Sequence, residues 1–393
     1  MASATRKHKK RDWLDLIDFK TVVLSRSAFL YRNLANTLFP DRLSGSEIEK
    51  VRDRIIDATK SVNSALKEAA VILKDGSPEF DTAADKLRGY GLLTKSFSEH
   101  RAGAALVMGL GSVSLLVNDE DHLTFLTNES APFSELWRQG ESLAQSLEKS
   151  LHFASSPIYG YLSANPDHVG TGLRFSCCFC FFGLYLMKEL EPVLRGIERL
   201  GFEVVPMFVL SENEENPLDA PGCCYRVTST QTMWREEEII ERMDRLCAEL
   251  ARQERNARVR LIETKPLVLV DFVVRSVAVG SVSLQMAESE GLDIAYTLLF
   301  AEDMNLFDAA DVDELDLRVL AVEVTGMALR EGCSADGAGD VDEIRSVRAE
   351  IIRTQALKLL PLCLKRLGRS LQGKQKRGGI PKKAPRKTQK TRQ

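Results

Sequence analysis

What this chain lacks narrows the field first. Its longest apolar run, Phe175 to Met187, is broken by Gly183 and closed by Lys188. A membrane-spanning helix needs about 20 apolar residues, so a transmembrane role is not expected. The basic N-terminus leads into no apolar segment of the secretory kind, so export is not expected either, and the reading is a cytoplasmic protein. Cysteine occurs eight times, but not in a metal pattern. Cys177 and Cys180 have Cys-x-x-Cys spacing inside an aromatic, apolar run, with neither a second such pair nor a spaced histidine pair beside them. Free buried thiols in a reducing compartment are therefore expected, with no metal site. The glycines fit neither the Walker nor the Rossmann spacing. Finally, no Lys or Arg occurs from Gly201 to Tyr225, an absence that matters below.

What is present is enough for two domains. A chain of 393 residues that is 44% hydrophobic and 28% charged can bury two ordinary soluble cores. The net charge of −3 hides a segregation. Residues 372–393 hold nine Lys/Arg and residues 1–11 hold five, with no acid in either stretch. The rest, with all 56 acids, carries about −17. Basic tails on an acidic body read as solvated segments, or as contacts for nucleic acid or an acidic partner.

The stretch that organises the chain is Gly160 to Ser176, G-Y-L-S-A-N-P-D-H-V-G-T-G-L-R-F-S. Asn165-Pro166 leads into the Gly170-Thr171-Gly172 turn and then to Arg174. Glycines let a backbone pass close to a ligand, and an arginine there can fork two hydrogen bonds onto a phosphate or carboxylate. Taken alone, the same turn is also an ordinary loop. About forty residues upstream stands Val117-Asn118-Asp119-Glu120-Asp121-His122-Leu123. Together these blocks resemble the phosphagen kinase (ATP:guanidino phosphotransferase) family, and most of all its bacterial protein arginine kinases. That family carries V-N-E-E-D-H-L-R and then G-Y-L-T-A-C-P-T-N-V-G-T-G-L-R-A-S. The resemblance runs from about residue 20 to 370.

It implies an α+β fold: a catalytic domain over 20–260, with an antiparallel sheet flanked by helices, then a smaller helical domain over 261–370. Residues 1–19 and 371–393 are left as basic, unstructured segments. It also implies ATP with Mg as cofactor, arginine side chains of protein clients as substrate, an activating zinc-binding partner and a homodimer. Glu120 is the implied carboxylate that handles the guanidinium, which must be held and must lose a proton as it attacks phosphorus. Asn165, Gly170, Thr171 and Gly172 form the implied substrate loop, with Asn165 in place of the family's cysteine.

The implied phosphate arginines are largely missing. In R-S-A-F-L-Y-R-N-L-A, the first two arginines of the family's S-R-I-R-L-A-R-N-L-A align with Ser27 and Phe29. Arg32 matches the third. Arg26 lies one place off, and a one-residue slip along a strand turns a side chain to the other face. Thr124 replaces the arginine after His-Leu, and the arginine of V-R-G-x-x-G-E falls in the cation-free stretch. The nucleotide-binding candidates are therefore Arg174, Arg32 and Arg26. Phosphoryl transfer depends on positive charge around the phosphates. One lost electrostatic contact costs about 10²–10³ in rate, and an arginine finger about 10³–10⁵. Three readings follow: a pseudokinase that keeps the fold as a binding or regulatory module; an active, divergent protein arginine kinase using Arg26, Arg32, Arg101 and Arg174; and a nucleic-acid binder through its tail.

Local patterns complete the expectations. Strand is expected at Thr21–Ser25, Leu92–His100 and Ala104–Val117, and an amphipathic helix or helix pair from Ser44 to Leu73 with Ser44 and Glu47 at its start. Phe175–Leu190 reads as a buried helix, and Glu236–Arg258 as a charged helix with one apolar stripe. At Leu267–Leu284 strand and helix compete. Gly332–Gly339 reads as a linker, and Ile344-Arg345-Ser346-Val347-Arg348-Ala349 aligns with an implied phosphoarginine-sensing motif, R-D-x-x-R-A.

Overall fold

The computed structural model describes residues 21–66, 71–89, 92–93, 97, 103–110, 112–208, 220–307, 320, 323–324 and 341–375. The fold is α+β, built on one eight-stranded sheet. Across it run β2 (Val71–Lys74), β3 (Ala105–Leu110), β4 (Val113–Val117), β5 (Leu123–Asn128), β1 (Val23–Arg32), β8 (Leu173–Cys180), β10 (Cys224–Ser229) and β9 (Phe202–Pro206). All neighbouring strands are antiparallel.

Alternation along β1 divides its side chains between two cores. Ala28 and Leu30 join the larger one, under the helices α1 (Gly45–Leu66), α3 (Phe133–Leu151) and α6 (Glu236–Thr264). Gly140 lets α3 approach closely, since a Cβ there would stand 2.8 Å from Leu30. Phe29, one residue out of phase, packs on the other face against a smaller cluster of Phe80, Phe97, Leu106, Leu116 and Leu126, part of it carried by α2 (Pro78–Gly89).

Three expectations need correction. Phe175–Leu190 is not one buried helix: its first part is the central strand β8, Phe182–Met187 (α4) is a short helix, and Leu190 opens the next, α5 (Leu190–Arg199). A strand covered on both faces is apolar throughout, so its period vanishes. Leu92, Leu93 and Phe97 are not in a strand. Their apolar character comes from packing, with Leu92 and Phe97 buried in the smaller cluster. The helix expected over Ser44–Leu73 stops at Leu66, and Val71–Lys74 is strand. Its start is as read, with the Glu47 carboxylate accepting from the Ser44 backbone N–H at 3.0 Å. At Leu267–Leu284 helix prevails, as Pro266–Val282 (α7), because Leu269, Val273, Val277 and Gly280 recur at helical spacing on its buried side and packing overrides β-branched propensity. The Gly332–Gly339 stretch and residues 1–19 and 376–393 lie outside the described residues, and the tail expected to be unstructured from 371 is helical as far as Gln375.

Beyond the sheet, α7, α8 (Glu288–Asp303) and α9 (Val341–Gln375) pack together. A buried ion network is among their links to the sheet, beside the bond that Asp293 accepts from the Gly222 N–H. Glu254 accepts from the Gly183 and Leu184 backbone N–H groups and from Arg258 Nε at 2.7 Å. Arg258 also donates to Asp303 at 3.1 Å and to the Cys180 carbonyl at 3.3 Å, while Asp303 accepts from the Thr21 backbone N–H. Arg258 and Glu254 are fully buried. Arg348, of the aligned sensing motif, is buried as well and donates to the Val324 and Met286 carbonyls. Seven described cysteines are free thiols, and among the described residues no helix is long and apolar enough to cross a membrane.

Removing one member of a buried ion network leaves its partners charged and uncompensated, at about 3–5 kcal/mol. Arg258→Met is therefore expected to lower the stability measured by urea unfolding by that amount. A loss below about 1 kcal/mol would show that the network does not join the two units.

Candidate functional site

The turn between β4 and β5 is the acidic motif, and each residue in it has a separate task. Asn118 takes the left-handed conformation, with φ 56, and its amide donates to the Ile48 and Gly103 carbonyls. Asp121, fully buried, accepts from Asn33 Nδ2, from Ser163 Oγ at 2.8 Å and from the Ala164 N–H at 3.0 Å, with His168 Nδ1 at 3.4 Å. Burial pushes its carboxyl up, but the hydrogen bonds from His168, Ala164, Asn33 and Ser163 outweigh that and hold it below the usual range. His122 Nδ1 accepts from the Leu34 N–H at 3.2 Å. Burial brings this imidazole down to about 4 against the opposing pull of Asp121, so it is neutral near pH 7.

Asp121 thus fixes the loop that carries Asn165. The Asn165 side chain caps the short turn Pro166–His168 by accepting from the Asp167 N–H, and donates to Glu120 Oε2 at 3.2 Å. The glycines then meet protein rather than open space. A Cβ on Gly170 would lie 2.3 Å from the Thr232 carbonyl, and one on Gly172 would lie 2.6 Å from the Tyr31 carbonyl. Thr171 donates to Thr232 O through both its N–H and its hydroxyl. The loop is bound by its neighbours.

The arginines divide. Arg174 points into a cleft of about 150 Å³ that Phe29, Tyr31, Asp119, Thr124, Glu203 and Arg226 also line. It donates to the Ser229 carbonyl at 3.0 Å and to Glu203 at 2.9 Å, and approaches His168 Nε2 at 3.4 Å. Arg32 is elsewhere: buried, it donates to the Tyr31 and Thr171 carbonyls and to Glu141, with its guanidinium 3.5 Å from the centre of the Tyr161 ring. Its position clamps the Gly170–Gly172 loop from the larger core. Arg26 lies on that side too, over the Phe133 ring and toward the Ala131 carbonyl at 3.5 Å. Alternation along β1 separates both from Arg174, so the cleft does not gather the three candidates. Arg101 lies outside the described residues, as do Glu212, Glu214, Glu215 and Asp219.

Phe29 stands directly opposite Arg174 in the β1–β8 ladder. It stacks on Tyr31 at 6.3 Å, and Tyr31 stacks on His168 at 3.7 Å with planes 5° apart. Burial pushes the Tyr31 phenol well above its usual range. A ladder of rings therefore stands beside Arg174. Tyr31, Arg226 and the Asp121 hub were not singled out from sequence. The available signal for Arg226 was alternation, since Arg226 and Thr228 must share a face of β10. Among the described residues no group of three or more His, Cys, Asp or Glu is arranged to hold a metal.

Comparison with known proteins adds three findings. The model of the ATP:guanido phosphotransferase C-terminal catalytic domain matches residues 50–257, just over half of the chain. The protein-arginine kinase of Halothermothrix orenii is 27% identical over 339 residues, covering 86% of this chain and 93% of that one. That of Clostridium novyi is 25% identical over 341 residues, covering 84% and 94%. Among solved structures, the duplicated taurocyamine kinase of Schistosoma mansoni with bound transition state analog components is 17% identical, with TM-score 0.50. The match covers 60% of this chain, which spans about a third of that duplicated protein, 33%. At that identity the likeness speaks for the fold.

His122 gives a pH test of the motif. Its folded value is near 4, whereas the unfolded imidazole titrates near 6.5. Between those values the unfolded chain binds more protons, so stability is complete above about pH 6.5 and falls as the pH drops toward 4, by about 3 kcal/mol. His122→Asn, which keeps an acceptor for the Leu34 N–H, is expected to remove this slope in urea unfolding. An unchanged slope would assign it to other groups.

Proposed function

The chain belongs to the ATP:guanido phosphotransferase family, and we propose that within it this protein is a pseudokinase, a binding or regulatory module that keeps the guanidino-kinase scaffold without phosphoryl turnover. The observation that carries this is Phe29. An apolar ring, packed into the smaller core and stacked on Tyr31, stands where the family resemblance calls for a phosphate-binding guanidinium. Ser27 and Thr124 leave two further such positions uncharged, and Arg174 is paired with Glu203. A nucleotide triphosphate does not fit these residues. The cleft of about 150 Å³ is well below the roughly 300–1,000 Å³ of ordinary ligand pockets, and its acids, Asp119 and Glu203, oppose an added polyphosphate.

The carboxylate side is better preserved. Glu120, oriented by Asn165 at 3.2 Å, and the neighbouring Asp119 suit a guanidinium. The module therefore takes an arginine side chain of a protein partner in a cytoplasmic setting. The second reading, an active protein arginine kinase with ATP and Mg, is favoured by the name of relatives that match over most of their length and by Arg226 in the cleft.

Two measurements separate them. With excess protein, Mg and γ-labelled ATP, no phosphoarginine is expected on an arginine-rich acceptor above the Arg174→Ala background; clear transfer lost in that variant would establish the kinase. An arginine-bearing peptide is expected to bind, and Glu120→Gln to weaken it about tenfold, as for loss of a charged hydrogen bond. Equal binding to the variant would remove the guanidinium from this site.

A further inference from the structure

Beside the Gly170–Gly172 loop lies an exposed surface built without charge. The chain has no Asp, Glu, Lys or Arg from Phe153 to Pro166, and none from Val227 to Trp234, in a protein that is 28% charged. The first stretch forms a hairpin of β6 (Ser155–Ser156) and β7 (Gly160–Tyr161). Its tip presents Ile158 at 79% exposure and Tyr159 at 56%, and the second stretch presents Met233 at 60%. Exposed strand edges are ordinarily blunted with charge, lysine above all, and an uncharged apolar patch marks a place where another molecule sits. Close backbone contacts join the two stretches into one surface. A Cβ on Gly160 would lie 2.5 Å from the Gly170 carbonyl oxygen, and one on Gly170 would lie 3.1 Å from Met233 Cα. Tyr161 and Gly170 exchange hydrogen bonds at 2.7 and 3.1 Å, and the Thr232 hydroxyl donates to the Asp167 and Val169 carbonyls. Ser156 Oγ accepts from the Ile158 and Tyr159 N–H groups at 3.2 and 3.4 Å. The tip is thus fixed before anything binds, which lowers the ordering cost of an interface.

We propose that Ile158, Tyr159 and Met233 form a docking platform for an extended protein segment in which an arginine stands within about six residues of a bulky apolar side chain. The spacing follows from the loop. Asn165, which holds Glu120 at 3.2 Å, is six residues after Tyr159, so at most about 22 Å of extended chain separates the two. Exposed Asp167 adds a second carboxylate on the same loop. An apolar anchor on the platform and a guanidinium at the carboxylates therefore belong to one short segment, and Tyr and Met are side chains enriched where proteins meet. The arginine half rests on the guanidinium reading of Glu120 given above; the apolar half does not. Two other occupants fit less well. A second copy in two-fold contact would set one acidic body, about −17, against another. The chain's own residues 376–393 carry three arginines but a single large apolar residue, Ile380.

The test is fluorescence anisotropy of labelled peptides with the full chain. One peptide carries an arginine with leucine and phenylalanine within about six residues of it. A second has serine in place of both apolar residues, and a third has glutamine in place of the arginine. Loss of the apolar residues is expected to weaken binding about tenfold, as for an interface anchor. Ile158→Ser, Tyr159→Ser and Met233→Ser should each weaken the first peptide severalfold and leave the second unchanged. All three side chains are exposed, so the variants keep the folded core. Equal binding of the first peptide to all three variants overturns the platform, and so does its failure to bind at millimolar concentration. Equal binding of the first and third peptides, still weakened by Ile158→Ser, would instead sink the guanidinium reading of Glu120 and leave the apolar platform standing, so the two failures are distinguishable. Tighter peptide binding after deletion of residues 376–393 would assign the platform to the chain's own tail. A dimer in sedimentation that Ile158→Ser dissociates would assign it to a second copy. Either result overturns the partner named above.

Discussion

Asp121 is a carboxylate with no solvent exposure, and the cleft takes its shape from the hydrogen bonds that keep it charged. It gathers Asn33 from the end of β1, Ser163 and Ala164 from the central loop, and His168 from the turn beyond. The donors come from the end of β1, the central loop and the turn beyond it, so one charge fixes three segments at once. A buried carboxylate is tolerable only when its acceptor sites are filled, and here they are filled by the backbone and side chains that frame the site. His168, held by Asp121 on one side, meets Arg174 on the other and stacks on Tyr31 between them. The order of the cleft therefore descends from the acidic motif rather than from a ligand.

On the pseudokinase reading proposed above, this is how the scaffold outlasts its chemistry. The residues that build the loop are Asn118, Asp121, His122, Gly170, Gly172 and Arg32, and all of them serve contacts internal to the protein. Arg32 holds the Thr171 carbonyl, and Gly172 must lack a Cβ because β1 passes beside it. The positions where the resemblance calls for arginine, Ser27, Phe29 and Thr124, share the other face of the sheet, and Phe29 and Thr124 line the cleft. Phe29 even adds to packing, extending the smaller core toward Tyr31. On that reading, uncharged residues there take charge out of the site while leaving the sheet intact.

Much of this was legible in the sequence, and the omissions have physical causes. The two motif blocks and the Glu236–Arg258 helix were readable because they are local. That Arg26 would face away from Ser27 and Phe29 followed from the two-residue period of a strand. Phe175–Leu190 was misread because a central strand, apolar on both faces, has no period to read. Arg226 was missed because its place in the same cleft as Arg174 depends on the β8–β10 register, which joins residues about fifty apart. Arg32 looked like a phosphate ligand because a guanidinium that grips backbone carbonyls and one that grips phosphate have the same sequence. Only burial and partners distinguish them.

The central claim is that the phosphate side of the cleft no longer accepts a nucleotide. Calorimetric titration of the whole chain with Mg-ATP addresses it most directly. The account predicts no heat of binding at millimolar nucleotide. Micromolar affinity that disappears in Arg174→Ala would contradict it, and would return the protein to the active kinases of its family.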